Sequence, residues 1–125
     1  METIRRIISY KDYFNRFFET LRPKLQDRIF QIFDIIKTVE IVPARHLKHI
    51  KDTDGLYEIR VKFGNDILRI FCCFDTGNLV VLLSGFIKKT QKTPRKEIDK
   101  AVSLMNEYYE YSRKQVQRKD NLDIR

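Results

Sequence analysis

The sequence predicts an α+β fold: a helical hairpin, then an antiparallel β-meander, then a C-terminal helix, with an N-terminal edge strand on offer. Three observations carry this. Apolar residues recur twice at helical spacing before residue 41. Three runs of strand length follow, with Gly, Asn and Asp between them. A Thr-Pro pair then opens a last helical pattern. At 125 residues the chain is one domain's worth, long enough to bury a core without disulfides or metals.

Ile4 to Ser9 offers the short leading strand. Tyr10, Tyr13, Phe14, Phe17, Phe18 and Leu21 then recur at offsets of three and four, one face of a helix. Pro23 suits the first turn of a new helix and sits badly inside an old one. Leu25, Ile29, Ile32, Phe33 and Ile36 repeat the spacing from there, so the two helices form a hairpin with a short connection. From Ile41 to Gly55 the pattern breaks. Pro43 interrupts it, Thr53-Asp54-Gly55 reads as a turn, and Arg45 to Lys51 between them is a basic stretch that turns Leu47 and Ile50 inward.

Leu56 to Phe63, Ile67 to Phe74 and Leu79 to Phe86 are the three strands, and connections this short make hairpins. In the first, Tyr57, Ile59, Val61 and Phe63 share one face, and Leu56, Glu58, Arg60 and Lys62 the other. The other two are more continuously apolar, as strands covered on both sides are. Thr93-Pro94 then reads as N-cap and first helical residue, followed by a face of Ile98, Ala101, Val102, Met105, Tyr108 and Tyr109. The expected organisation is a two-layer domain over 1–112 and a charged tail over 113–125, which extends the helix or frays.

Charge narrows the function. The formal net charge is +8 and the pI about 9.6. Such a surplus attracts polyanions: nucleic acid, an acidic protein or an anionic membrane surface. The longest apolar run, Leu79 to Leu83, is too short to span a bilayer, and the N-terminus has no signal-peptide stretch. Cys72 and Cys73 are adjacent, and in a strand they point to opposite faces, so they do not pair with each other. A cytoplasmic protein is expected. No metal is expected, because His46 and His49 lack a third ligand at matching spacing. No cofactor is expected either: no phosphate-cradling glycine loop and no Gly-x-Ser-x-Gly elbow is present.

What remains is a set of cations on the sheet. Arg60 lies on the polar face of its strand, and Arg69 stands inside Ile67-Leu68-Arg69-Ile70-Phe71, where a charge is costly unless it is paired or reaches ligand or solvent. Lys88, Lys89, Lys92, Arg95 and Lys96 place five positive charges in nine residues with no acid among them. These groups can border one basic surface that holds a nucleic-acid backbone. They can equally be a solvated face, with Arg60 paired to Glu58, Asp66 or Glu97 and Arg69 to a carboxylate on the closing helix.

The stretch Asp54-Gly55-Leu56-Tyr57-Glu58-Ile59-Arg60-Val61, then Leu68-Arg69-Ile70-Phe71, then Ser84-Gly85-Phe86-Ile87-Lys88-Lys89-Thr90-Gln91-Lys92-Thr93-Pro94 resembles the phage-derived HigB-like branch of the RelE/ParE toxin superfamily. The resemblance implies the toxin of a type II toxin–antitoxin pair, a metal-independent mRNA endonuclease working on the ribosome, with a helix-turn-helix antitoxin as partner. By matching position, Arg60 and Arg69 would sit against the scissile phosphate, and Lys88 and Lys89 would line the same catalytic site. Lys92, Arg95, Lys96 and, from the earlier basic stretch, Lys48 would hold RNA. One position departs from the pattern: many relatives carry histidine immediately before the Gly-Phe pair, and this sequence has Ser84. Serine does not titrate near neutral pH, which leaves His46, His49 or a lysine to move protons. Two other readings stand beside this one. The first is a non-enzymatic ParE-like gyrase inhibitor, and the second is an RNA-binding relative without catalysis.

Overall fold

In the computed structural model, which describes residues 2–89 and 92–123, eight elements follow in order. They are β1 (Arg6–Ser9), α1 (Tyr13–Glu19), α2 (Pro23–Thr38), β2 (Leu47–His49), β3 (Tyr57–Phe63), β4 (Asp66–Asp75), β5 (Leu79–Ile87) and α3 (Arg95–Asp123). They form an α+β fold around one five-stranded sheet, in the order β1-β5-β4-β3-β2. The meander β3-β4-β5 is antiparallel, as its turns predict. Gly64 supplies the positive φ (61°) that the tight β3–β4 turn requires. The N-terminal strand is present at the sheet edge, and it runs parallel to β5. Its approach is held from below: the Arg5 guanidinium donates to the carbonyls of Ile36 (2.9 Å), Val39 (2.6 Å) and Glu40 (2.7 Å). A cation there satisfies orphan carbonyls at the C-terminal end of α2.

Two expectations need correction. The basic stretch from Arg45 is partly a strand: β2 pairs with β3 through Leu47 opposite Ile59 and His49 opposite Tyr57. Leu47 and Ile50 do turn inward, each partly buried against a core cluster. The design is also not two-layered, because the sheet is covered on both faces. On one face, α1 and α2 bring Phe14, Leu25, Ile29 and Ile32 against Ile59, Leu68, Ile70 and Val80. On the other, Ala101, Leu104 and Met105 of α3 meet Phe71, Cys73, Val81 and Leu83. The reason is the apolar content of β4 and β5, which leaves two faces to bury. Cys72 and Cys73 are divided between the two cores, and burial raises both thiols, Cys73 to about 11.

α3 opens at Arg95, with the Pro94 carbonyl accepting from the Ile98 amide (3.3 Å). Tyr108 and Ser112 bond to the Asp75 carboxylate, and Tyr109 to the Phe74 carbonyl (2.9 Å). The helix then continues to Asp123, so the first part of the charged tail is helical, and its side chains from Arg113 to Asp120 are exposed. None of the described helices is long and apolar enough to cross a membrane.

One glycine fixes how α1 sits. A Cβ at Gly85 would lie 2.6 Å from Phe17 Cδ2 and 2.7 Å from Cε2. Gly85→Ala must push the Phe17 ring off the sheet, and overpacking of this kind costs about 1–3 kcal/mol. Urea unfolding is expected to show that loss; a midpoint equal to wild type would mean that the α1 contact is slack.

Candidate functional site

The site grows from the register of the sheet. Residues opposite one another in antiparallel strands project to the same face. On the face that α3 partly covers, Lys48, Glu58, Phe71 and Ser84 form one cross-strand row, and Arg60, Arg69 and Phe86 the next. A third row holds Lys62 and Ile67, beside which the Lys88 amide donates to the Ile67 carbonyl (2.7 Å). β5 joins these rows because of a bulge. Phe71 opposes Ser84 while Cys72 opposes Leu82, so Leu83 is an extra residue. Leu83 packs under α3, and the bulge re-aims everything after it, bringing Ser84 and Phe86 to the side of Arg69.

Arg60 and Arg69 are direct cross-strand neighbours, an arrangement that repels unless a counter-charge stands by. Glu58 is that counter-charge. It is 3 % exposed; Oε1 accepts from Arg60 Nε (2.9 Å) and Oε2 lies 3.6 Å from Arg69 Nε. The second contact is an ion pair too long for a hydrogen bond. Glu58 Oε2, Arg69 Nε and Ser84 Oγ are all buried without a hydrogen-bond partner. Three orphan polar atoms at one spot leave donors and an acceptor unsatisfied until a ligand or water arrives. Burial, chiefly, pulls the Arg69 pKa down, with Glu58 opposing and Arg60 adding to the effect. Lys88, half-buried, is likewise lowered by burial first and then by the Arg69 charge. The lysine therefore releases its proton more readily than a solvated one.

Around the free edge of β3 the cluster opens into a cavity of about 350 Å³. Arg28 and Ile32 of α2, Arg45 and His46 before β2, and Arg60, Lys62, Ile67 and Arg69 of the sheet line it. The His46 carbonyl accepts from the Arg60 amide (2.8 Å), which fixes that loop to the strand. The His46 imidazole is lowered from its ordinary value by burial, then by the charges of Arg45 and Arg28. Its neutral form, which carries a nitrogen that can accept a proton, is thus favoured over the charged one.

The structure brings Arg60, Arg69 and Lys88 together and places Lys48 on the same face, exposed beside Glu58. Arg69 pairs with Glu58 rather than with α3. Lys89 and Lys96 are exposed, with no ion pair among the described residues. Arg95 pairs with Asp99 (3.1 Å) and lines a separate hollow with the 51–54 turn, so it does not join the cluster. Lys92 is exposed, and Thr90 and Gln91 of the Lys-rich segment lie outside the described residues. His49 bonds the Thr53 carbonyl (3.1 Å) and stacks edge-on with Tyr57, away from the cavity lining. No three His, Cys, Asp or Glu gather as metal ligands among the described residues. The reading by residue type missed Glu58 as the centre of the cluster, and did not assign Arg28, Arg45 or Lys62 to the site. Glu58 and Lys62 were visible as strand neighbours of Arg60 on one face; Arg28 and Arg45 share no spacing pattern with them.

Comparison with known proteins follows the same span. A family profile described as Phage derived protein Gp49-like (DUF891) matches residues 16–106, which include every residue of the cluster and cavity. No curated protein matches the chain. Among solved structures, the chain is similar to one from the archaeal RelE-RelB complex of Pyrococcus horikoshii OT3. That match has a TM-score of 0.51 and 14% identity, and covers 72% of this chain and 99% of that chain. At such identity the likeness speaks for the fold.

Proposed function

We propose that this chain, which belongs to the phage-derived Gp49-like family, is the toxin of a type II toxin–antitoxin pair and cuts messenger RNA on the ribosome. The observation that supports this most is the convergence of Arg60, Arg69 and Lys88 on buried polar atoms that lack partners. That arrangement suits a phosphate gaining charge. In the reaction the ribose 2′-oxygen bonds to the adjacent phosphorus, and the bond from phosphorus to the 5′-oxygen breaks. The products are a 2′,3′-cyclic phosphate and a 5′-hydroxyl. The two arginines stabilise the added negative charge, a preorganised electrostatic effect. Neutral His46 takes the 2′-hydroxyl proton, and Lys88 donates one to the departing 5′-oxygen, as general base and general acid. Glu58 has no accessible Oε2 with which to touch substrate, so it is a positioning residue for the arginines. Ser84 Oγ is buried too, so the serine supplies neither a titrating group nor an exposed hydroxyl at this spot.

The HigB-like resemblance favours a helix-turn-helix antitoxin as partner, and the fold likeness to a chain from a RelE-RelB complex supports a protein partner of some kind. Induced expression in a bacterial host tests the reading. Growth arrest is expected, with new 5′ ends on a translated message that vanish when translation is blocked. Normal growth with soluble protein and no new ends would sink it, and arrest without new ends would favour gyrase inhibition.

A further inference from the structure

The cavity at the free edge of β3 holds more charge than one phosphate needs. β2 stops pairing at Leu47 opposite Ile59, so from Arg60 onward the outer edge of β3 has no strand beside it. The gap is bordered instead by α2 and the 45–46 loop. Five basic side chains line it (Arg28, Arg45, Arg60, Lys62 and Arg69), and no carboxylate does. Glu58 answers Arg60 and Arg69 only. Arg45 and Lys62 are exposed and make no ion pair among the described residues. Arg28 is pre-positioned by bonds to the Lys62 carbonyl (3.3 Å) and to Gln31 (2.9 Å). Between these cations, Ile32 and Ile67 give the cavity an apolar portion. The volume, about 350 Å³, lies in the range of small-ligand pockets.

We infer that this cavity is a nucleotide subsite for the residue on the 5′ side of the cut, whose own 5′-phosphate is held by Arg28 and Arg45. The inference rests on the proposed RNA-cleaving reading, and its direction follows from the proton traffic. The nucleotide that offers the 2′-hydroxyl must lie at the His46 end, and His46 lines this cavity. Its base then rests on the partly exposed Ile67, and its 5′-phosphate reaches the two arginines beyond. RNA therefore leaves the scissile point around the β3 edge towards α2. Neither arginine belongs to the Lys88–Lys96 run to which charge density alone draws attention.

Fluorescence anisotropy of a labelled 2′-O-methyl hexaribonucleotide, which cannot be cut, separates this inference from the reading beneath it. Arg45→Ala and Arg28→Ala are each expected to weaken binding about ten-fold, the loss of one charged contact. Each should also lower the slope of log affinity against log salt by about one. Arg118→Ala, on the exposed end of α3, serves as the remote control and should bind as wild type. Arg45 makes no bond that holds the fold, so its variant reads binding alone. Wild-type affinity and salt slope in both variants, with weakened binding in Arg69→Ala, overturn the subsite and leave the RNA reading standing. Failure of the wild-type protein to bind overturns the subsite, while the RNA-cutting reading stands or falls on the primer extension.

Discussion

Replacing Arg69 by alanine is expected to lower message cleavage by about 100- to 1,000-fold, the cost of one preorganised donor at a developing oxyanion. The side chain is the buried member of the cationic trio, with a side-chain exposure of 10% and an Nε that no protein group satisfies. A donor held in that state is strongest when an anion arrives, because little water competes for it. The fold should survive the change. The Glu58 contact that is lost is long, 3.6 Å, and the repulsion from Arg60 across the strands is lost with it. Urea unfolding is therefore expected within about 1 kcal/mol of wild type, the scale of one cross-strand pair. Primer extension on a translated message, run beside growth curves, reads the activity. Undiminished 5′ ends from soluble Arg69→Ala would remove this arginine from the chemistry. Arg69→Lys should recover only part of the loss, since a lysine point charge does not reproduce the planar guanidinium fork.

Glu58→Ala is expected to be the more damaging change for the folded state, at about 3–5 kcal/mol, the range for breaking a buried ion pair from one side. Removing the carboxylate leaves Arg60 and Arg69 facing each other across β3 and β4, with Lys88 close enough to feel both. Glu58→Gln keeps the shape and a hydrogen-bonding oxygen, so it should fall between wild type and alanine. The order of the three urea midpoints decides the matter. A Glu58→Ala midpoint equal to wild type would mean that the arginines already find their counter-charge in solvent, and that Glu58 does not hold them. This prediction and the previous one pull on the same cluster from opposite sides, one on its charge towards substrate and one on its internal balance.

The helices and the meander were legible because each rests on a periodicity longer than its own uncertainty: five or more apolar positions at helical spacing, or an apolar run closed by Gly-Asn. β2 was not, because three residues carry no alternation to read, and Lys48 and His49 are exposed. The second helical layer followed from residues already in view, since the continuous apolar runs of β4 and β5 need cover on both sides. In the site, Arg69 was conspicuous as a charge inside an apolar strand. Glu58 looked like an ordinary member of a polar face until the register set it opposite Phe71, in the row of buried Ser84. Arg28 and Arg45 were out of reach for a different reason. They sit on separate elements, and only the packing of α2 beside the β3 edge makes them neighbours. The run from Lys88 to Lys96 misled in the opposite way, because closeness along a chain leaving a strand does not translate into closeness at a point. Lys88 joins the cluster, while Arg95 turns to Asp99.

The extra residue at Leu83 carries a consequence for how such a site can change over generations. Along a strand, side chains count odd and even, and the bulge is where β5 changes its count. Were β5 to run through this point in regular alternation with Leu83 kept, the pairing would slip by one: Ser84 and Phe86 would turn towards α1, and Gly85, with its missing side chain, would come to the place where an aromatic now stands beside Arg69. The helix seated over Gly85 would meet the Ser84 side chain where it now meets none. A frame error of one position would thus damage the cationic row and the seat of α1 together. Point substitutions can tune this site one contact at a time, whereas a slip of pairing at Leu83 re-aims every later residue of β5 at once, so the register after the bulge is the quantity least free to drift.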